Sequence, residues 1–325
     1  MKAFVHDRYG SPDVLELKDV DIPTGNDDHV LVRVRAACVN PYDWHMLRGH
    51  PYFLRLMVKG PRRSRQVTIP GADMAGVVES VGKDVTRFRP GEEVYGDVEA
   101  GCFAEYVSAA EERIALKPSN ISFEQAAAVP MVAMTALQGL RNVGRIEEGQ
   151  KVLINGASGG IGTFAVQLAK NLGAAEVTGV CSTRNVELVR SIGADHVVDY
   201  SRDDFTRSGE RYDLLLDTVG NRSLRALRRT LTKKGTLVLA GGGGGRVLGP
   251  IPTILGGIVL SRFVGQRIVT FVCKPSKDDL ELLKELIEAG KVTPVIDRTY
   301  PLSDVPEAIR YLEEGHARGK VVITV

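Results

Sequence analysis

The sequence predicts an α/β protein in which a β-rich N-terminal region precedes a doubly wound parallel sheet. Three observations predict it. Short alternating segments separated by turn signals fill the first 120 residues. Beyond about residue 122, apolar strand-like runs take turns with segments of helical period, the pattern of a parallel sheet covered by helices on each side. A glycine-rich turn, Gly156-Ala157-Ser158-Gly159-Gly160-Ile161-Gly162, stands where one such strand passes into a helix.

In chain order, Val30–Val34 alternates as a half-buried strand, and Ala75–Gly82 reads as a strand running into a turn. Gly71, Arg89-Pro90-Gly91 and Lys117-Pro118 mark turns. Ser122, with Glu124-Gln125 behind it, predicts a capped helix through Ala126–Val129, and a second helix is expected over Met134–Asn142. The strand Lys151–Asn155 leads to a helix over Gly160–Leu172, and Val177–Val180 to one over Asn185–Ile192. Val197-Val198 and Leu214–Leu216 are strands, Leu224–Leu231 a helix and Thr236–Leu239 a strand. Helices over Asp278–Ala289 and Val305–Glu314 and a strand Val321–Val325 complete the pattern. The run Gly241–Gly245 follows a strand, where it fits either a flexible loop or the close approach of a cofactor.

Composition narrows the function classes. A formal charge of +2 gives no global attraction to nucleic acid or to an acidic membrane. The first 20 residues carry charges throughout and lack the apolar core of a secretory signal. Val247–Ser261 is apolar but short and broken by Gly and Pro. A cytoplasmic protein is therefore expected. Cys38, Cys102, Cys181 and Cys273 lie far apart with no C-x-x-C pair, so they read as reduced thiols that fill space.

The glycine turn carries the first functional expectation. In the G-x-G-x-x-G pattern Ala157 takes the first position, Gly159 the second and Gly162 the third. Gly159 would let the backbone approach a pyrophosphate, and Gly162 would let helix and sheet pack closely. Ala157, Ser158, Gly159, Gly160, Ile161 and Gly162 thus form the expected seat, with helix amides and dipole holding the phosphate charge. NAD sites place an acid about 20 residues further on. Here Ser182-Thr183-Arg184 end the second strand with no carboxylate before Glu187. Ser182 and Thr183 can donate to a 2′-phosphate and Arg184 can pair with it, which favours NADPH; the same Ser-Thr pair can also cap the next helix.

Together, the residues resemble the medium-chain dehydrogenase/reductase superfamily, in its zinc-free quinone-oxidoreductase-like branch, over essentially the whole chain. The markers are Val39-Asn40-Pro41-Tyr42-Asp43, Ile69-Pro70-Gly71-Ala72-Asp73-Met74-Ala75-Gly76, Ala126-Ala127-Ala128-Val129-Pro130 with Thr135-Ala136-Leu137, the glycine turn, Asp217-Thr218-Val219-Gly220 and Arg318-Gly319-Lys320-Val321-Val322. The resemblance implies a GroES-like β-barrel catalytic domain (residues 1–123 and 270–325) interrupted by a Rossmann NADP-binding domain (residues 124–269), with the active site in the cleft between them. It also allows a homodimer through edge strands of the parallel sheets.

Zinc-dependent members carry Gly-His-Glu where this chain has Gly71-Ala72-Asp73, and a Cys near the position of Asn40. Fewer than the three ligands that a catalytic zinc needs can be assembled. Without a metal to polarise a carbonyl, hydride transfer calls for an acceptor that is already electrophilic, a quinone or an α,β-unsaturated carbonyl. By resemblance, Asn40 is expected to orient nicotinamide or substrate, and Tyr52, with His45 or Tyr42 as substitutes, to donate a hydrogen bond or proton. Thr135 is expected near the nicotinamide and Val219 near the adenosine or ribose; Tyr200, Gly241 and Phe271 complete the cofactor side, and Arg318 fits either a cofactor phosphate or the surface. The basic stretch Lys59-Gly60-Pro61-Arg62-Arg63-Ser64-Arg65 fits a solvated loop or a site for an anionic tail, and so keeps an enoyl-thioester reductase in view. A low-turnover NADPH-binding scaffold or sensor is the rival of another class.

Overall fold

The computed structural model describes residues 1–52, 68–241 and 265–325. Lys59–Arg65, Gly242–Gly245 and Val247–Ser261 lie outside them. The chain divides into two compact units, Met1–Met134 with Pro275–Val325, and Thr135–Lys274.

The first unit opens with a two-stranded antiparallel ribbon, β1 (Lys2–Val5) and β2 (Glu16–Asp19). β3 (His29–Val39) follows the predicted alternation: Val30, Val32 and Val34 enter the core while Leu31, Arg33 and Arg35 point away from it. From Ala36 onward the alternation stops and every residue is buried. Asn40 turns the chain into α1 (Pro41–Arg48). β4 (Asp73–Val81), β5 (Glu93–Asp97), β6 (Tyr106–Ala110) and β7 (Ile114–Leu116) pair antiparallel around β3. Ser122 caps α2 (Phe123–Ala127) as the sequence predicts: its hydroxyl accepts from the Gln125 N–H at 3.2 Å, and the Gln125 side chain accepts from the Ser122 N–H at 3.1 Å.

Helix α3 (Pro130–Leu137) starts earlier than expected and passes into a π-helical turn, Gln138–Gly144. Gln138 fixes that turn by bonding both backbone groups of Lys274. The second unit then alternates as predicted: β8 (Lys151–Asn155), α4 (Gly160–Asn171), β9 (Glu176–Cys181), α5 (Val186–Ser191), β10 (His196–Asp199), β11 (Tyr212–Asp217), α6 (Leu224–Arg228), β12 (Leu231–Leu239) and β13 (Arg267–Thr270). α6 is shorter than its apolar period suggested. Thr230 leaves the helix to accept the Tyr212 N–H, and Leu231 begins the next strand. The six strands form one parallel sheet in the order β10-β9-β8-β11-β12-β13, with β8 and β11 adjacent at the switch point. Leu153, Leu215 and Leu237 are fully buried in it.

The remaining segment completes the first unit with α7 (Lys277–Glu288), β14 (Ile296–Pro301), α8 (Val305–Glu313) and β15 (Lys320–Thr324). β15 pairs parallel to β14 and antiparallel to β3, giving a seven-stranded sheet in the order β14-β15-β3-β4-β5-β7 with β6 also on β3. The fully buried Tyr95 ties α7 to β5 by donating its hydroxyl to Leu280 O at 2.6 Å. Tyr95→Phe should therefore cost about 1–2 kcal/mol, read as a lowered urea midpoint with unchanged slope. A midpoint equal to the parent's would show that this bond contributes nothing. Among the described residues, no helix is long and apolar enough to cross a membrane.

Candidate functional site

The glycine turn lies at the switch point of the parallel sheet. Gly159 caps α4 with extended backbone (φ −83°, ψ 177°). The Thr163 N–H is taken by Gly159 O, which leaves the first-turn amides of Gly160, Ile161 and Gly162 outside the helical ladder. No acidic residue occupies that turn. Two of its glycines have opposite surroundings. A Cβ on Gly162 would stand 2.1 Å from Gly156 O and 2.7 Å from Ala157 Cα, so helix and strand already fill that space. A Cβ on Gly159 would meet nothing closer than Gly156 O at 3.4 Å, so that side of the turn is open. Beneath it Asn155 donates to Asp217 Oδ1 at 2.8 Å, and Asn185 donates to the Ser158 hydroxyl at 2.9 Å. Asn185 Oδ1 and Asp217 Oδ2 are buried without a protein partner, and both border this turn. An open cradle, free helix amides and unspent polar atoms fit a dinucleotide pyrophosphate.

The other cofactor-side candidates are distributed as follows. Val219 is 39% exposed after β11, and Tyr200 is 49% exposed after β10. A Cβ on Gly241 would stand 2.2 Å from Thr218 O, so the ends of β11 and β12 approach too closely for a side chain there. Phe271 lays its ring against Gly139, and Thr135 is buried on α3. Arg318 belongs to the first unit, where it is tied to Asp297 through its N–H at 3.0 Å and Nε at 3.6 Å.

At the end of β9, Ser182 is half-buried and Arg184 exposed. The reading that Ser182-Thr183-Arg184 have no acid beside them needs correction. Asp199, from the neighbouring strand β10, accepts a hydrogen bond from Thr183 Oγ1 at 2.5 Å. Parallel pairing sets Asp199 opposite Cys181, one residue before Ser182. A search along the chain stops at Glu187, whereas the sheet brings in its carboxylate sideways.

In the first unit, Asn40, the residue expected to orient nicotinamide or substrate, is itself held by neighbouring side chains. It is fully buried. Its Nδ2 donates to Asp73 Oδ2 at 2.9 Å and its Oδ1 accepts from Lys320 Nζ at 2.5 Å. Its N–H donates to Asp43 Oδ2 at 2.7 Å, which caps α1, and Asp73 Oδ1 accepts from the Met131 N–H at 3.1 Å. With both ends of its amide engaged, Asn40 positions α1 and the two carboxylates. Burial pushes Asp73 up to about 8 and Asp43 up to about 7, and the Lys320 ammonium pulls both downward. Nearby, the Cys38 thiol donates to Val321 O at 3.0 Å and is pushed up to about 12 by burial, an inert space-filling thiol.

The C-terminal end of α1 gathers two of the other candidates, His45 and Tyr52, while Tyr42 lies in its first turn. His45 stacks on Trp44 with ring centroids 3.6 Å apart, and its Nδ1 meets His50 O at 3.1 Å. A nitrogen opposite a carbonyl must donate, so Nε2 is the acceptor of the neutral ring; burial lowers the His45 pKa and favours that neutral form. Tyr52 is 42% exposed and stands edge-on to His50, with centroids 4.9 Å apart. Tyr42 is 39% exposed, and burial of the rest raises its hydroxyl pKa.

Comparison with known proteins agrees with this architecture. The family described as alcohol dehydrogenase GroES-like domain matches residues 26–119, and that described as zinc-binding dehydrogenase matches residues 192–323. The chain is 36% identical over 336 residues to a 2-methylene-furan-3-one reductase of Solanum lycopersicum, covering 99% of this chain and 79% of that protein. It is 35% identical over 336 residues to a chloroplastic NADPH-dependent alkenal/one oxidoreductase of Arabidopsis thaliana, with the same coverage of 99% and 79%. The quinone oxidoreductase of Coxiella burnetii superposes with a TM-score of 0.88 at 30% identity, covering 100% of this chain and 99% of that one. On this sheet order, this switch-point turn and these similarities, the chain belongs to the medium-chain dehydrogenase/reductase superfamily, in its quinone-oxidoreductase-like branch.

Proposed function

We propose that the protein is a metal-independent, NADP(H)-using reductase of quinones or α,β-unsaturated carbonyl compounds. The observation that carries this reading is the switch-point turn, open at Gly159 and closed at Gly162, with three helix amides unspent. Ala157 to Gly162 would hold the pyrophosphate, and Ser182, Arg184 and Tyr200 at the adjoining strand ends would meet the adenosine side. When bound, the reduced nicotinamide supplies the hydride. The names of the relatives, an alkenal/one oxidoreductase and a 2-methylene-furan-3-one reductase, support a conjugated acceptor.

The metal-independent part rests on side-chain chemistry. Asn40 and Asp73 bond each other, and Lys320 already brings a positive charge against Asn40. Among the described residues, no three His, Cys, Asp or Glu stand together to hold a metal. Charge developing on the acceptor oxygen would then be met by neutral donors, with Tyr52 the candidate for delivering a proton, since neutral His45 turns its one N–H to His50 O and can only accept at Nε2. A cytoplasmic location and a homodimer through an edge strand of the parallel sheet belong to the same reading.

Purified protein is expected to oxidise NADPH with 9,10-phenanthrenequinone and with a simple enone, at rates unchanged by a chelator. Absence of turnover with quinones, enones and enoyl-CoA esters alike would overturn the reading. Stoichiometric zinc in the purified protein would overturn its metal-independent part.

A further inference from the structure

The contact between Thr183 and Asp199 has a direction. Asp199 Oδ2 accepts from Thr183 Oγ1, Oδ1 accepts from the Ser201 N–H at 2.9 Å, and Arg202 Nε lies 3.5 Å from Oδ2. The Thr183 hydrogen bond, ahead of the others, holds the Asp199 carboxyl below the usual carboxylate range. It is therefore ionised at neutral pH and can only accept. A threonine hydroxyl carries a single proton. With that proton committed to a charged acceptor, Thr183 shows only lone pairs to whatever lies beyond it. Lone pairs welcome a hydroxyl, which can donate. They repel the oxygens of a phosphate, which accept. Asp199 also places a negative charge one residue before the exposed ring of Tyr200.

We propose that Asp199 and Thr183 form a selector that reads the 2′-hydroxyl of an adenosine ribose and offsets the preference for a 2′-phosphate, so that the protein takes NADH as well as NADPH. The proposal rests on the dinucleotide reading above and concerns only its adenosine end. Ser182 and Arg184 favour the phosphate, and Asp199, acting through the orientation of one hydroxyl, counters them.

The test is calorimetric binding of NADPH and of NADH to the parent protein, Asp199→Asn and Thr183→Val, with no acceptor present. The parent is expected to bind the two within about tenfold of each other. Asp199→Asn should shift the ratio toward NADPH by about tenfold, the equivalent of one charge-assisted hydrogen bond. Thr183→Val should weaken NADH by about threefold or more and leave NADPH no weaker, since it removes a lone pair that only the hydroxyl uses. An unchanged ratio or a shift toward NADH in Asp199→Asn would overturn the selector alone, as would a selective loss of NADPH in Thr183→Val. Failure of all three proteins to bind either dinucleotide would instead overturn the proposed function, and the selector with it.

Discussion

Gly162→Ala is expected to abolish measurable dinucleotide binding and to destabilise the Thr135–Lys274 unit by about 2–3 kcal/mol, the usual cost of overpacking. The added methyl would lie 2.1 Å from Gly156 O and 2.7 Å from Ala157 Cα, and neither backbone atom can swing aside as a side-chain tip can. Gly159→Ala is the informative contrast. Its backbone angles suit alanine, and its nearest neighbour is 3.4 Å away. Its stability should fall by no more than about 1 kcal/mol, the N-cap difference between glycine and alanine. Its affinity for NADPH should nevertheless drop by about tenfold or more, because the methyl projects into the open side of the cradle. Urea melts and calorimetric titration of both variants check this. Full affinity in Gly159→Ala would move the pyrophosphate elsewhere.

The second large effect is expected at Lys320. Its ammonium is buried against Asn40 and is the charge that pulls Asp43 and Asp73 downward. Lys320→Met should cost about 3–5 kcal/mol at pH 8, the penalty of leaving buried charge uncompensated. The pH dependence has a definite sign. Burial raises the folded Asp73 to about 8, against about 3.9 for a free aspartate, so between these values the folded protein holds a proton that the unfolded chain releases. Stability from this group is complete below about pH 4 and declines as pH rises toward 8. Lys320→Met should steepen that decline and be least damaging near pH 5, where both carboxyls can protonate. Urea midpoints from pH 5 to 8.5 read the slope, and parallel curves for parent and variant would refute this account of the cluster.

What the sequence disclosed follows from how local each feature is. The strand-turn-helix from Lys151 to Asn171 was legible because its period, its glycines and its chemistry lie within one short stretch. The capping box of Ser122 and Gln125 was legible for the same reason. Asp199 was not, because it reaches Thr183 through strand pairing across a separation of 16 residues. The burial of Asn40 was equally hidden: its amide meets Asp73, 33 residues away, and Lys320, 280 residues away. Leu231 misled because a leucine at helical spacing is also a good first residue for an apolar strand.

The position of β15 has a consequence for how the molecule assembles. Its contacts with β3 span 283 residues between Cys38 and Val321. Closing so long a loop adds little free-energy cost, since the entropy grows only with the logarithm of length, but it is slow. The parallel sheet, drawn from one contiguous segment, can form while β3 still waits for its neighbour. During that interval Ala36-Ala37-Cys38-Val39 presents an apolar, unpaired edge, the kind of template on which other chains add as strands. Crowded refolding is therefore a condition that exposes this fold to aggregation.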